Sequence, residues 1–213
     1  MKLVCISDTH GRHDLMNNQI PEGDVLVVAG DISNIGKKKD IVSFHEFLKQ
    51  VPCKHKVVIA GNHDWCFENS KRKKASLWLT NEDSSIHYLQ DSEITIEGIK
   101  FYGSPWQPEF YNWAFNLRRG KQIKEKWDLI PQNTDVLITH GPPAGILDPD
   151  RNQESVGCVD LLDRVLKIKP KVHVFGHLHS GYGTIQKEGI TFVNASICDE
   201  IYDPINKPIV FTI

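Results

Sequence analysis

The chain has 213 residues, 40% of them hydrophobic and 24% charged, with a net charge of −2 and a pI near 6.5. That length fits one domain, residues 1–213, with a sizeable core, and the mild acidity excludes a global pull toward nucleic acid or acidic membranes. Five cysteines without a C-x-x-C pair (Cys5, Cys53, Cys66, Cys158, Cys198), no charged leader before Lys2 and no run of about eighteen apolar residues predict reduced thiols and a soluble, cytoplasmic protein, its oligomeric state left open.

Leu3–Ile6, Val25–Ala29 and Val57–Ala60 are aliphatic runs of the buried-strand type. Between the second and third, Ile41, Phe44, Leu48 and Val51 recur at helical spacing until Pro52. A helix from about Glu68 to Leu79 should follow. Ile94, Ile96, Ile99 and Phe101 alternate around Glu97-Gly98, which predicts a hairpin. Residues 104–119, rich in Pro, Trp, Phe and Asn without periodicity, read as an ordered aromatic loop. Ile123, Trp127 and Ile130 suggest a short helix before Pro131, and Val159–Leu166 another. Val136–Ile138, Val172–Phe175, Thr184–Gln186, Ile190–Val193 and Ile209–Phe211 supply the remaining strands. Alternating helices and strands followed by hairpins are best buried by two sheets face to face with helices outside.

Polar residues cluster where these strands end: Asp8-Thr9-His10, Gly30-Asp31, Gly61-Asn62-His63-Asp64, Thr139-His140-Gly141 and Gly176-His177-Leu178-His179. The rim past the strand carboxyl ends is where open α/β sheets bind ligands. Aspartate, asparagine and histidine donors suit divalent Mn, Fe or Zn better than Cu(I) or Ca. Any one of these fragments alone is more often a capped turn or a satisfied histidine. All five, in this order and each after a strand, point to a two-metal centre of the kind that breaks phosphate esters. No Walker-type glycine loop offers an alternative phosphate cradle.

The ordered set resembles the calcineurin-like metallophosphoesterase family from Leu3 to Ile213. Tyr102-Gly103-Ser104-Pro105-Trp106-Gln107-Pro108, Phe110 to Leu117, Val156-Gly157-Cys158, Gly181-Tyr182-Gly183 and Asn194 to Cys198 are similar to its metallophosphoesterase-domain (MPPED) subgroup. The resemblance implies a four-layer α/β/β/α sandwich, two mixed sheets flanked by helices. It implies one metal held by Asp8, His10, Asp31 and His179, and a second by Asp31, Asn62, His140 and His177. It further implies attack by a hydroxide between the ions, with His63 facing the leaving oxygen as general acid, and cyclic nucleotides or related small diesters as substrates. A metal-dependent nuclease and a catalytically weak interaction scaffold are the alternatives. The acidic balance weighs against the first, and the complete ligand set with His63 against the second.

Asp64 is expected either to orient His63 or to cap the helix that follows. Arg12, His13, Asn62 and Tyr182 are candidate substrate contacts, with a solvated loop the alternative for the first two. Trp106, Trp113 and Tyr182 would stack on a base or anchor a long loop. His45, His55, His87 and His173 lie outside every motif and read as structural or surface residues. Lys37–Lys39 and Lys71–Lys74 read as solvated helix ends, with phosphate steering the alternative.

Overall fold

The computed structural model describes residues 1–16, 19–68 and 72–213, with the side chain of residue 72 excepted. Strand β1 (Lys2–Ile6) is buried at every position after Lys2, as expected of a strand covered on both faces. β2 (Gly23–Val28), β3 (Cys53–Val58) and β4 (Ile86–Tyr88) lie parallel to it, and helix α1 (Lys38–Gln50) crosses from β2 to β3. Helix follows the third motif as α2 (Trp65–Glu68) and α3 (Arg72–Thr80), the second lying where a helix to about Leu79 is expected; residues 69–71, with Lys71 of the basic run, fall outside the described residues.

The predicted hairpin is β5 (Ser92–Ile96) and β6 (Ile99–Ser104), with Ile96 opposite Ile99. Its two-residue loop has Glu97 at φ 48° and Gly98 at φ 83°, the left-handed pair that matches strand twist. The aromatic loop is tied by a short parallel pair, β7 (Gln107–Pro108) with β8 (Asn116–Leu117). Then come α4 (Lys121–Trp127), β9 (Val136–Thr139), α5 (Val159–Ile168), β10 (Val172–Phe175), β11 (Gly183–Lys187), β12 (Ile190–Asn194) and β13 (Ile209–Thr212).

The strands form a five-stranded sheet, β13-β1-β2-β3-β4, and a six-stranded sheet, β11-β12-β10-β9-β6-β5. Both are mixed, with antiparallel strands only at their edges. Alternation within each strand divides the apolar side chains among three layers. Cys5, Val27 and Val57 meet Phe101, Ile138 and Val174 between the sheets. Val4, Leu26 and Val28 turn outward to Phe44 and Leu48 of α1 and Leu79 of α3. Leu137, Phe175 and Phe192 turn the other way, to Trp127 of α4 and Leu161 and Val165 of α5. At about 1.5–3 kcal/mol for each large side chain buried, these layers hold four tiers together, α/β/β/α, and leave the strand carboxyl ends free to carry polar groups.

Candidate metal centre

Asp8 and His10 follow β1, Asp31 follows β2, Asn62 and His63 follow β3, His140 follows β9, and His177 and His179 follow β10. At this rim the sheets draw together: Ser7 bridges Ser196 beyond β12, and Ile197 N donates to Ser7 O at 2.9 Å. Four of these residues take left-handed backbone, Asp8 at φ 55°, His10 at 45°, Asp31 at 51° and His177 at 68°. Each costs roughly 1–2 kcal/mol for a residue with a Cβ, and such strain persists where surroundings over-determine it, typically at functional sites. The motif glycines have a related cause. A Cβ on Gly61 would clash with the Asp31 carboxylate, and one on Gly176 with that of Asp8. The backbone must come this close to carry the ligands of one strand against those of the next.

The potential ligand atoms gather in groups. Asp8, His10 and His179 form one and Asp31, His140 and His177 another, each with its donor atoms within 4.8 Å of one another. Asp31 Oδ2 lies between them, 3.8 Å from His10 Nε2 and 3.3 Å from His140 Nε2. Asn62 Oδ1 is 2.8 Å from His140 Nε2. His10 and His179 aim their Nε2 atoms at each other across 3.4 Å, and Asp8 Oδ1 stands 3.9 and 3.6 Å from them. That oxygen is buried and has no hydrogen-bond partner among the described residues. An orphaned carboxylate oxygen beside two imidazole nitrogens is costly, and a divalent cation supplies the missing partner, so the residues present fit the metal pair that the resemblance implies.

Outer contacts fix the donors. His140 Nδ1 donates to Ala29 O at 2.9 Å and His179 Nδ1 to Asp199 O at 2.7 Å, which turns each Nε2 toward the centre. Asp8 Oδ2 accepts from His177 N and Ser196 Oγ, both at 3.0 Å. Burial pushes the Asp8 and Asp31 carboxyls up, but His179 beside the first and His140 beside the second hold both well below the usual carboxylate range. Burial lowers imidazoles too. It prevails at His10, at about 4, and His177, at about 3, while neighbouring carboxylates overcome it at His140 and His179, each raised to about 9. A divalent ion competes with those imidazole protons for the same carboxylates.

A cavity of about 620 Å³ opens over this centre, lined by His63, Phe110, Trp113, Arg119, Arg151 and Tyr202 among others. His63 donates its backbone N–H to Asp31 Oδ1 at 2.8 Å, and its ring bonds Asn34 O through Nδ1 at 2.8 Å. Asp64 requires a correction, because its carboxylate turns away from that ring. It accepts from Ile32 N, Ser33 N, Ser33 Oγ and Gly61 N, clamping the second motif to the third. Neighbours in a tight turn point apart, and the buried amides of two converging loops claim this carboxylate.

Three expected substrate contacts lie elsewhere. His13 is buried against Phe44 and bonds Ser43 of α1 at 2.9 Å, Arg12 pairs with Asp203 at 3.1 Å, and Tyr182 OH donates to Lys207 O. None of the three lines the cavity, whereas Asn62 does. Arg119, Arg151 and Tyr202 do line it and were not singled out by the sequence, since exposed arginines and a lone tyrosine carry no local pattern.

A sandwich of this topology with paired Asp/His groups at one rim defines a phosphoesterase. The chain belongs to the calcineurin-like phosphoesterase family, whose model matches residues 1–181. It is therefore a metal-dependent phosphoric ester hydrolase of a family that binds two divalent ions and acts on small phosphate esters. It is 45% identical over 231 residues to metallophosphoesterase domain-containing protein 1 of Homo sapiens, covering 98% of this chain and 70% of that protein. A solved crystal structure superposes with a TM-score of 0.68 at 17% identity, over 91% of this chain and 89% of its own. A structure titled as a novel archaeal phosphodiesterase gives 0.50 at 16% identity, over 93% and 85%. Among the described residues no helix is long and apolar enough to cross a membrane, and all five cysteines are buried.

Proposed function

We propose that the protein hydrolyses small phosphodiesters, cyclic nucleotides foremost, in the cytoplasm, with Asp8, His10, Asp31 and His179 holding one ion of the Mn, Fe or Zn type and Asp31, Asn62, His140 and His177 the other. The observation that carries the reading is Asp31 Oδ2, set between His10 and His140 so that one carboxylate can serve both groups. When bound, such a pair of ions acidifies water to give a nucleophile and screens the phosphate's charge. The chain supplies the rest. Neutral Asn62 leaves the second position more electrophilic than a further carboxylate would. His63 lines the cavity and, with Nδ1 on Asn34 O, has Nε2 left to hand a proton to a leaving-group oxygen.

The cavity supports a nucleotide-sized substrate, since about 300–1,000 Å³ is usual for small-molecule sites and this one encloses about 620 Å³. Phe110, Tyr111 and Trp113 give it an apolar wall, and Arg119, held by the carbonyls of Val156 and Gly157, brings positive charge suited to an anionic ester. The test is a metal-resolved activity screen over 2′,3′- and 3′,5′-cyclic nucleotides, mononucleotides, bis-phenyl phosphates and single-stranded DNA. Two ions per chain after reconstitution with Mn, and turnover on cyclic nucleotides, are expected. Asp31→Asn should weaken both sites together, and His179→Ala should chiefly empty the first. His63→Ala should keep both ions yet lose roughly 10²–10⁴-fold in turnover. A stoichiometry near zero would end the reading.

A further inference from the structure

Three contacts immobilise the His63 ring. Nδ1 is 2.8 Å from Asn34 O. Because a carbonyl only accepts, Nδ1 carries the hydrogen, and Nε2 is the nitrogen left to deal with a ligand. His10 meets the ring edge-on, centroids 4.6 Å apart at 82°. Trp113 covers its face, centroids 4.1 Å apart at 26°. The hydrogen bond alone is a pivot about which the imidazole can tilt, and the indole face is what removes that freedom.

Trp113 is itself firmly based. Its neighbour Ala114 donates its N–H to Asn62 O at 3.2 Å, and Phe115 N donates to Glu68 Oε1 at 2.9 Å, so the aromatic loop is stitched along the segment that bears Asn62 and His63. Ala114 and Phe115 are fully buried. The loop carries the indole to one place, directly over the imidazole.

We infer that Trp113 is a positioning residue of the hydrolase, its indole face holding the His63 imidazole so that Nε2 reaches the leaving-group oxygen. This rests on the proton-donor reading of His63, and the test separates the two. Trp113→Leu, Trp113→Phe, His63→Ala and the double variant Trp113→Leu/His63→Ala are prepared with Mn, and their metal content is measured. Turnover is compared on bis(p-nitrophenyl) phosphate, whose leaving group needs little protonation, and on a cyclic nucleotide, which releases an alkoxide.

Trp113→Leu should retain both ions and lose about 10- to 100-fold in kcat on the cyclic nucleotide, the scale of a misplaced catalytic group. The aryl ester should suffer much less, Trp113→Phe should recover most of the loss, and the leucine change should add nothing once His63 is gone. Equal loss on both esters, loss of metal, or an additive loss in the double variant would make Trp113 a structural residue and overturn the inference. A silent Trp113→Leu beside a crippled His63→Ala overturns the inference alone. Wild-type turnover of fully metallated His63→Ala on both esters removes the proton-donor reading, and the inference with it.

Discussion

The aromatic wall of the cavity and the wall facing it are built by different means. Between Ser104 and Leu117 the chain hangs on buried groups. Phe115 is fully buried with Trp106 edge-on to it at 5.4 Å, and Asp91 accepts from Ser104 Oγ and Trp106 Nε1 at 2.8 Å and Lys126 Nζ at 2.9 Å. Across the cavity, Arg151 is tied to Glu200 at 2.5 Å although the two side chains are 68% and 38% exposed. Arg12 to Asp203, the next tie on that side, is exposed as well. Exposed pairs contribute about 0–1 kcal/mol each and weaken with salt. The wall that holds Trp113 over His63 is therefore the packed one, and the Arg151 tie on the facing wall can give way to a ligand at little cost while Tyr202 stays packed on His10 and His179.

The largest effect should come from the packed side. Phe115→Ala removes a fully buried ring and should cost about 3–5 kcal/mol, as aromatic truncations in cores do. A shift in the urea midpoint with unchanged slope measures this, and activity should fall on every substrate because the loop leaves Asn62. A loss under about 1 kcal/mol, the range of surface substitutions, would show that the wall is not held by packing. Smaller, but on the same side, is Asp91→Ala. It strands the half-buried Trp106 indole N–H and Lys126 ammonium, at about 1–3 kcal/mol for an unpaired polar group, read in the same titration.

How legible these walls were in the sequence follows from where their information lies. Asp8, His10, Asp31, Asn62, His140, His177 and His179 stand in short motifs at strand ends, so local pattern sufficed to place them at one rim. The three apolar layers were legible for the same reason, since alternation along a strand assigns faces. Asp64 and His63 are adjacent, yet which of them meets Ser33 and which meets Asn34 depends on how two distant loops converge. Trp113 over His63 is a contact between residues fifty apart in number, set by the backbone of a loop without periodicity. β4 is three residues long, too short for alternation to declare itself. Arg12 and His13 follow a ligand pair and looked like substrate contacts, but a 3₁₀ turn (His13–Met16) directs His13 under α1.

The smallest effect probes the ion-paired wall through Glu200. Burial pushes its carboxyl up, but Ser180 and then Arg151 outweigh burial and hold it below the ordinary value of 4.5. A carboxyl lowered by folding adds stability above the unfolded value and loses it as the pH falls through the folded one. The window therefore opens near pH 4.5 and lies below it. With Arg151 and Glu200 this exposed, the contribution stays within about 0–1 kcal/mol. Glu200→Gln should be slightly less stable than the parent at pH 7, and the difference should shrink as the pH falls below 4.5. Raising salt toward 1 M, where the screening length falls to about 3 Å, should shrink it at pH 7 too. Amide exchange should then quicken over residues 199–203 while residues 113–117 keep their protection. A stability difference that stays the same as the pH falls and as the salt rises would mean that the pair does not hold this wall, and the contrast with the packed side would have to rest on hydrogen bonds such as His179 Nδ1 to Asp199 O instead.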